Sequence, residues 1–128
     1  QLAIALIDVD DFKRINDTLG HHMGDETLVH LVKSLRAALR PSDILCRFGG
    51  EEFVLLLPET ALDEAVAAIS RFQRQFAASA VPGCALAVTF SAGVVVRQNS
   101  ESLEDVILRA DAATYAAKRA GKNCVISG

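Results

Sequence analysis

Two carboxylates follow two glycines in Arg47-Phe48-Gly49-Gly50-Glu51-Glu52-Phe53, between the apolar runs Ile44-Leu45-Cys46 and Phe53-Val54-Leu55-Leu56-Leu57. The glycines read as the tip of a hairpin between paired strands, where the backbone turns sharply and a ligand can approach closely. Glu51 and Glu52 bring up to two negative charges into a small volume, which is costly unless cations share the site. A divalent metal and a phosphorylated substrate supply that compensation. A plain surface turn with a glutamate pair would look the same over these residues alone, so the rest of the chain must decide.

A third carboxylate stands at the end of the first apolar run. Leu2-Ala3-Ile4-Ala5-Leu6-Ile7 has the unbroken hydrophobicity of a central strand buried on both faces, and it stops at Asp8-Val9-Asp10-Asp11. If this strand neighbours the hairpin, Asp8, Glu51 and Glu52 can converge. Asp8 and Asp10 share a strand face by the two-residue period, and Val9 offers its carbonyl there. Hard oxygen ligands from two strands suit magnesium, which keeps several waters and takes further ligands from substrate phosphates. The alternative makes Asp8 a loop residue and Asp10 a helix cap; for Asp10 the cap is the preferred reading.

The elements that position these groups follow from periodicity. Asp10 or Asp11 can cap a short helix, Phe12 to Leu19, ended by Gly20. A longer helix, about Asp25 to Leu39, carries Leu28, Leu31, Val32, Leu35 and Leu39 on one face, and Pro41 closes it. After the hairpin, Leu62, Val66, Ile69, Phe72 and Phe76 mark another amphipathic helix, broken at Pro82-Gly83. Leu86 to Val96 reads as one long strand or a bent pair, Leu103 to Ala120 as a helix with Val106, Ile107, Ala110 and Ala117 inward, and Asn123 to Ile126 as a last strand. The order β-α-α-β-β-α-β-α-β predicts an α/β (α+β) fold with a mostly antiparallel central sheet flanked by helices.

Composition narrows the function classes. The chain has 128 residues, 51% of them hydrophobic, enough for one domain with a real core. It holds no run of about 18 apolar residues, and no signal peptide precedes the first strand, so a soluble domain without direct membrane contact is expected. A net charge of −3 and a pI near 5.5 argue against nucleic acid as a partner, although a local basic cluster can still hold a nucleotide. Cys46, Cys84 and Cys124 are odd in number and widely spaced, as for reduced thiols in the cytoplasm. Two of them lie in strand-like runs and are expected in the core. His21, His22 and His30 lack partners at zinc-ligand spacing.

Asp8-Val9-Asp10-Asp11-Phe12-Lys13-Arg14-Ile15-Asn16-Asp17, then Gly20-His21-His22-Met23-Gly24-Asp25, then Gly49-Gly50-Glu51-Glu52-Phe53 together resemble the GGDEF family of diguanylate cyclases. That family's patterns are D-x-D-x-F-K-x-x-N-D, G-H-x-x-G-D and G-G-[DE]-E-F. Ala110-Asp111, Tyr115, Ala117-Lys118 and Gly121-Lys122-Asn123 are similar to its A-D-x-A-x-Y-x-A-K-x-x-G-[RK]-N block. The blocks keep their order over nearly the whole chain.

The resemblance implies a palm-like sheet, related to nucleotide cyclases and polymerases, that condenses two GTP into cyclic di-GMP and two pyrophosphates. By matching position, Asp8, the Val9 carbonyl and Glu51 would hold magnesium, or manganese in its place, with Glu52 as a further metal or charge contact. Glu51 would receive the proton of the attacking ribose 3′-hydroxyl, or mainly hold the ion that acidifies it. Asn16 and Asp25 match the guanine contacts; a carboxylate accepts from guanine N1–H and N2–H₂, donors that adenine does not present in that arrangement. Either residue can instead be a helix cap. Lys13, Lys118 and Lys122 match positions that meet phosphate charge, Lys13 in the transition state. Phe12, His21, Gly49 and Gly50 belong to the implied substrate pocket. Arg40-Pro41-Ser42-Asp43 matches the R-x-x-D inhibitory product site of many members, and Arg71 a secondary arginine that completes it in some.

Family domains usually begin with a helix and a D-x-L-T-G-L-x-N-R-type segment. The chain therefore reads as a single domain over residues 1–128 without that helix or the family's upstream sensory domains, cytoplasmic itself though the full-length protein can be membrane-attached. Thr114 stands where a large apolar residue is usual, and Lys122 where arginine is frequent, both mild changes. An active cyclase would work as a transient antiparallel homodimer, since each domain holds one GTP and the bond must form between two. The competing readings are a catalytically silent cyclic di-GMP or GTP receptor, and a palm of polymerase or adenylate cyclase type with a different base reader at Asp25.

Overall fold

The computed structural model describes residues 1–128. Its elements are β1 (Leu2–Val9), α1 (Phe12–Leu19), α2 (His21–Ala38), β2 (Ile44–Arg47), β3 (Glu52–Pro58), α3 (Leu62–Ala78), β4 (Phe90–Val96), α4 (Leu103–Arg119) and β5 (Val125–Ser127). The order is the expected one. The five strands form a single sheet, β2-β3-β1-β4-β5, antiparallel throughout except for the parallel β4–β5 pair.

The central strand β1 shows why its sequence is apolar without alternation. Ala3, Ala5, Ile7 and Val9 face a core shared with Ile15 of α1, Leu31 and Leu35 of α2, and Phe72 and Phe76 of α3. Ile4 and Leu6 point the other way, onto Val106 and Ala110 of α4. Both faces of the sheet are covered, so both sides of the pleat must be hydrophobic. Phe90, at the start of β4, stacks against Phe72 and Phe76 with centroids 5.5 and 5.7 Å away, which locks α3 onto the sheet.

Several boundaries differ from the periodicity-based expectation. Helix α2 starts at His21 rather than near Asp25, because Gly20 (φ 92°, ψ 159°) alone makes the corner between α1 and α2. Asp25 is therefore a residue of the second helical turn and Asn16 lies inside α1, so neither is a cap. Strand β4 begins at Phe90, not Leu86, and β5 begins at Val125 because Lys122 and Asn123 turn with positive φ (64° and 50°). No cysteine is in the core: Cys46 is exposed on the sheet-edge strand β2, and Cys84 and Cys124 are half-buried. Thr114 is buried with its hydroxyl 3.0 Å from the Leu6 carbonyl and 2.9 Å from that of Ala110, a tie between α4 and β1 that a large apolar side chain would not make. No helix is long and apolar enough to cross a membrane.

Helix α4 is moored at its other end by charge. Arg109 grips Glu101 through two bonds, Nε to Oε2 and Nη2 to Oε1, both 2.7 Å, and also donates to the Val96 carbonyl at 2.7 Å. The Arg109 bonds, helped by the Gln98 amide, hold the Glu101 carboxyl at a pKa of about 2, below its ordinary 4.5. The folded value is depressed, so this contribution to stability is complete above the unfolded pKa and fades as pH falls from 4.5 toward about 2. Glu101→Gln is expected to melt below the parent at neutral pH and to converge with it near pH 2. Thermal unfolding at several pH values reads this; a constant offset down to pH 2 would contradict the ion-pair origin.

Candidate functional site

The central strand β1 carries Asp8 and Val9 to its C-terminal end. Asp8 lies in register with Glu52 of β3 on one side and Ser91 of β4 on the other. The hairpin between β2 and β3 is stitched to this point: the Val9 amide donates to the Glu51 carbonyl at 3.2 Å, and the Phe48 and Gly49 amides donate to the Glu52 carbonyl at 2.8 and 3.2 Å. Arg47 clamps the loop from beneath, giving hydrogen bonds to the Gly49 and Gly50 carbonyls at 3.2 and 2.6 Å. A side chain on Gly49 would come within 2.7 Å of the Glu52 carboxylate, whereas one on Gly50 would meet nothing. A side chain on Gly49 would thus displace the Glu52 carboxylate, while the space above Gly50 is open.

Asp8, Glu51 and Glu52 share one electrostatic environment. Burial pushes the Asp8 carboxyl above its usual range even though the Lys118 ammonium pulls the other way. Burial likewise raises Glu51 and Glu52, and the charge of Asp8 adds to the rise in both. The charge of Asp8 is close enough to influence both glutamates. The three groups do not gather into a ligand cluster, however: no three His, Cys, Asp or Glu side chains stand together at metal-holding distance. Lys118 supplies the local positive charge. Its Nζ lies 3.2 Å from Asp8 Oδ1, 3.2 Å from each of the Asp8 and Val9 carbonyls, and 2.8 Å from Asp10 Oδ1. A cation therefore already rests against the Asp8 and Val9 oxygens, and this hard donor set, with Glu51 beside it, suits a divalent ion.

Asp10 is not a helix cap. Residue Asp11 holds the cap position of α1, with φ 52° and no side-chain capping bond. Asp10 is 4% exposed and accepts from Thr89 Oγ1 (2.7 Å), Ser91 Oγ (2.6 Å), the Asn123 amide (2.9 Å) and Lys118. Burial alone would raise its pKa, yet the bonds from Lys118, Ser91, Thr89 and Asn123 bring it below the ordinary value. Asp10 is thus the buried anion that joins β1, β4, α4 and the turn before β5. The sequence hint was its shared face with Asp8; the cap reading missed it because Asp11 already starts the helix.

The residues implied for the base pocket lie on the paired helices α1 and α2. Asn16 and Phe12 are half-buried on α1, and His21 and Asp25 are exposed on α2. Gly24 is buried between the helices, where an added Cβ would collide with Asn16 Oδ1 and lie 3.3 Å from the Phe12 ring. Of the expected phosphate lysines, Lys13 is exposed without an ion pair, Lys122 is paired at the surface with Asp11 (2.6 Å), and Lys118 is on the carboxylates. Arg40, Asp43 and Arg71 line a separate cavity of about 230 Å³ between α2 and α3. There Arg40 gives hydrogen bonds to Asp43 Oδ1 (3.0 Å), Thr60 Oγ1 (2.7 Å) and the Pro58 carbonyl (3.1 Å), and the bonds to Asp43 raise its pKa.

Comparison with known proteins shows the family. The family model described as "Diguanylate cyclase, GGDEF domain" matches residues 1–124. Diguanylate cyclase DgcP of Pseudomonas aeruginosa is 44% identical over 124 residues, which cover 95% of this chain and 18% of that protein. Diguanylate cyclase DgcM of Escherichia coli K12 is 41% identical over 125 residues, covering 98% of this chain and 30% of that protein. The chain thus spans less than a third of the length of these curated relatives. The crystal structure of the GGDEF domain of DgcB from Caulobacter crescentus in complex with c-di-GMP superposes with a TM-score of 0.92 at 31% identity, over 98% of this chain and 77% of that one. With the hairpin motif and the Asp8 strand end on one sheet and the α4 block packed against it, this chain belongs to the GGDEF diguanylate cyclase family.

Proposed function

We propose that this chain condenses two molecules of GTP into cyclic di-GMP and two pyrophosphates. Each ribose 3′-oxygen forms a bond to the α-phosphorus of the other nucleotide as the bond to pyrophosphate breaks, and the hydroxyl proton leaves to a base. The observation that carries this reading is the cation-binding corner at the open end of β1, where the Lys118 ammonium lies 3.2 Å from Asp8 Oδ1 and from the Val9 carbonyl and Glu52 stands in register with Asp8. Asp8, the Val9 carbonyl and Glu51 would hold a divalent metal, magnesium or manganese in its place, with Glu52 adjoining. Such an ion, when bound, acidifies the ribose hydroxyl and offsets phosphate charge. Glu51 accepts the proton of the attacking hydroxyl or holds the ion that acidifies it. Lys13 and Lys122 meet the phosphates, and Asn16 and Asp25 read the guanine edge.

One domain carries one set of these groups, so the second nucleotide comes from a second copy of the chain facing the first. Cyclic di-GMP, the ligand in the DgcB structure, is also proposed to bind back at Arg40, Asp43 and Arg71, where two guanidinium groups and a carboxylate line one cavity. The test is product formation by the purified protein at high concentration with magnesium, followed by chromatography. Cyclic di-GMP from GTP and no cyclic product from ATP supports the reading, and slowing by added product supports the second site. GTP that binds without turnover, even with dimerisation enforced, overturns it in favour of a nucleotide receptor.

Gly24→Ala separates recognition from folding. Alanine in a helix interior is favoured over glycine by about 1 kcal/mol, but the new Cβ displaces Asn16. The expected result is little loss of stability and roughly tenfold weaker GTP binding, the worth of one good hydrogen bond. Calorimetric titration with a GTP analogue measures it; unchanged affinity would remove Asn16 from base recognition.

A further inference from the structure

Lys118 is placed for more than meeting phosphate. It projects from the last turn of α4, which is packed on β1 and β4, and its side chain is 22% exposed. The ammonium has three N–H bonds to give and four oxygens within 3.2 Å: Asp8 Oδ1, the Asp8 and Val9 carbonyls, and Asp10 Oδ1. Asp8, Glu51, Glu52, Asp10 and Asp111 all bear on this one corner, as their mutual influence shows. Lys122, the next lysine along, is committed to Asp11. Lys118 is therefore the cation that makes the corner tolerable when nothing else is bound.

Its contacts fall into two groups. Asp8 and the Val9 carbonyl are the oxygens assigned above to the divalent ion. Asp10 is not; it is buried and held in place by Thr89, Ser91 and the Asn123 amide, and it makes the shortest contact to Nζ. We propose that Lys118 is a tethered counter-cation: in the metal-free domain its ammonium holds the place between Asp8 and the Val9 carbonyl, and it withdraws onto Asp10 when a divalent ion enters. The inference rests on the metal reading given under the proposed function. Two positive groups a few ångströms apart on the same carboxylate repel each other, so they compete for it. Asp10 would keep the displaced ammonium at the same corner, where its charge adds to that of the ion. The metal-free corner is thereby kept from opening, at the expense of metal affinity.

The test is manganese binding to the nucleotide-free protein, followed by electron paramagnetic resonance of the free ion. Lys118→Met is expected to bind manganese about tenfold more tightly than the parent, since one charge-assisted contact no longer has to be broken. It should also show a larger manganese-induced rise in melting temperature. The substitution leaves buried Asp10 without its cation, so Lys118→Met with Asp10→Asn provides a variant without that uncompensated charge, and the same tightening is expected. Lys33→Met, which removes a positive charge from the exposed face of α2, should leave the affinity unchanged. Equal or weaker binding in both Lys118 variants overturns the counter-cation, and so does a similar gain in Lys33→Met. No manganese binding to any of the proteins overturns the metal assignment itself along with it.

Discussion

Glu51→Ala is expected to reduce cyclic di-GMP formation by roughly 10³-fold or more, because it removes at once the metal donor and the proton acceptor proposed above. It should do so without harming the fold. Burial and the charges of Asp8 and Glu52 hold the Glu51 pKa above its ordinary value. A carboxylate with a raised folded pKa contributes nothing favourable above that pKa; there it is a penalty, which grows as pH rises through the interval between the unfolded and folded values. Taking the charge away should leave the melting temperature of the metal-free protein unchanged or slightly higher at neutral pH. Opposite signs for activity and stability are what a site held together against repulsion produces, since function requires charges that folding alone would avoid. Product assays and thermal melts on the same preparation check both signs. Retained turnover would remove Glu51 from the chemistry, and a large fall in melting temperature would make it a structural residue.

Gly93→Ala is expected to destabilise the protein by about 3 kcal/mol or more, the upper range for overpacking a close-packed interior. Gly93 sits in the middle of β4, opposite Leu6 of β1 and Ile126 of β5. A Cβ at this position would collide with the Ala110 carbonyl oxygen and the Thr114 amide nitrogen, and would lie 2.7 Å from the Ala113 side chain. Two of these obstacles are helix backbone, which cannot yield by a rotamer change, so α4 must lift away from the sheet. Lys118 and Asp111 ride on that helix, and the displacement should carry into the carboxylate corner. Urea unfolding gives the stability loss. Gly50→Ala is the comparison within the same molecule, because its Cβ would meet nothing and stability should stay within about 0.5 kcal/mol of the parent. If the two substitutions behave alike, close helix–sheet contact is not what position 93 requires.

The elements and the chemical groups of the site were readable from one dimension to different depths. Strand β1, the three long helices and the Gly-Gly hairpin announce themselves through periodicity and turn residues, since backbone sterics and side-chain alternation act over a few residues. The start of α2 was misplaced because Gly20 makes a corner in a single residue, and the start of β4 because residues 86–89 are apolar enough to imitate a strand. The misreading of Asp10 had the same origin: beside a helix start, a cap and a buried anion have the same local sequence.

Residue types and spacing suggested that Asp8, Glu51, Glu52 and the Val9 carbonyl could converge on a sheet with flanking helices, and the family resemblance implied Asn16 and Asp25 as base readers. Neither revealed that Lys118 would lie across the carboxylates, that Arg47 would clamp the Gly-Gly loop, or that Gly93 would be the point where α4 touches the sheet. The Lys118–Asp10 contact joins residues 108 apart and the Asn123–Asp10 contact residues 113 apart. Such pairs depend on how the strands order themselves and how closely α4 packs. Those are matters of long-range burial and close packing, which leave no mark on the local periodicity of a chain.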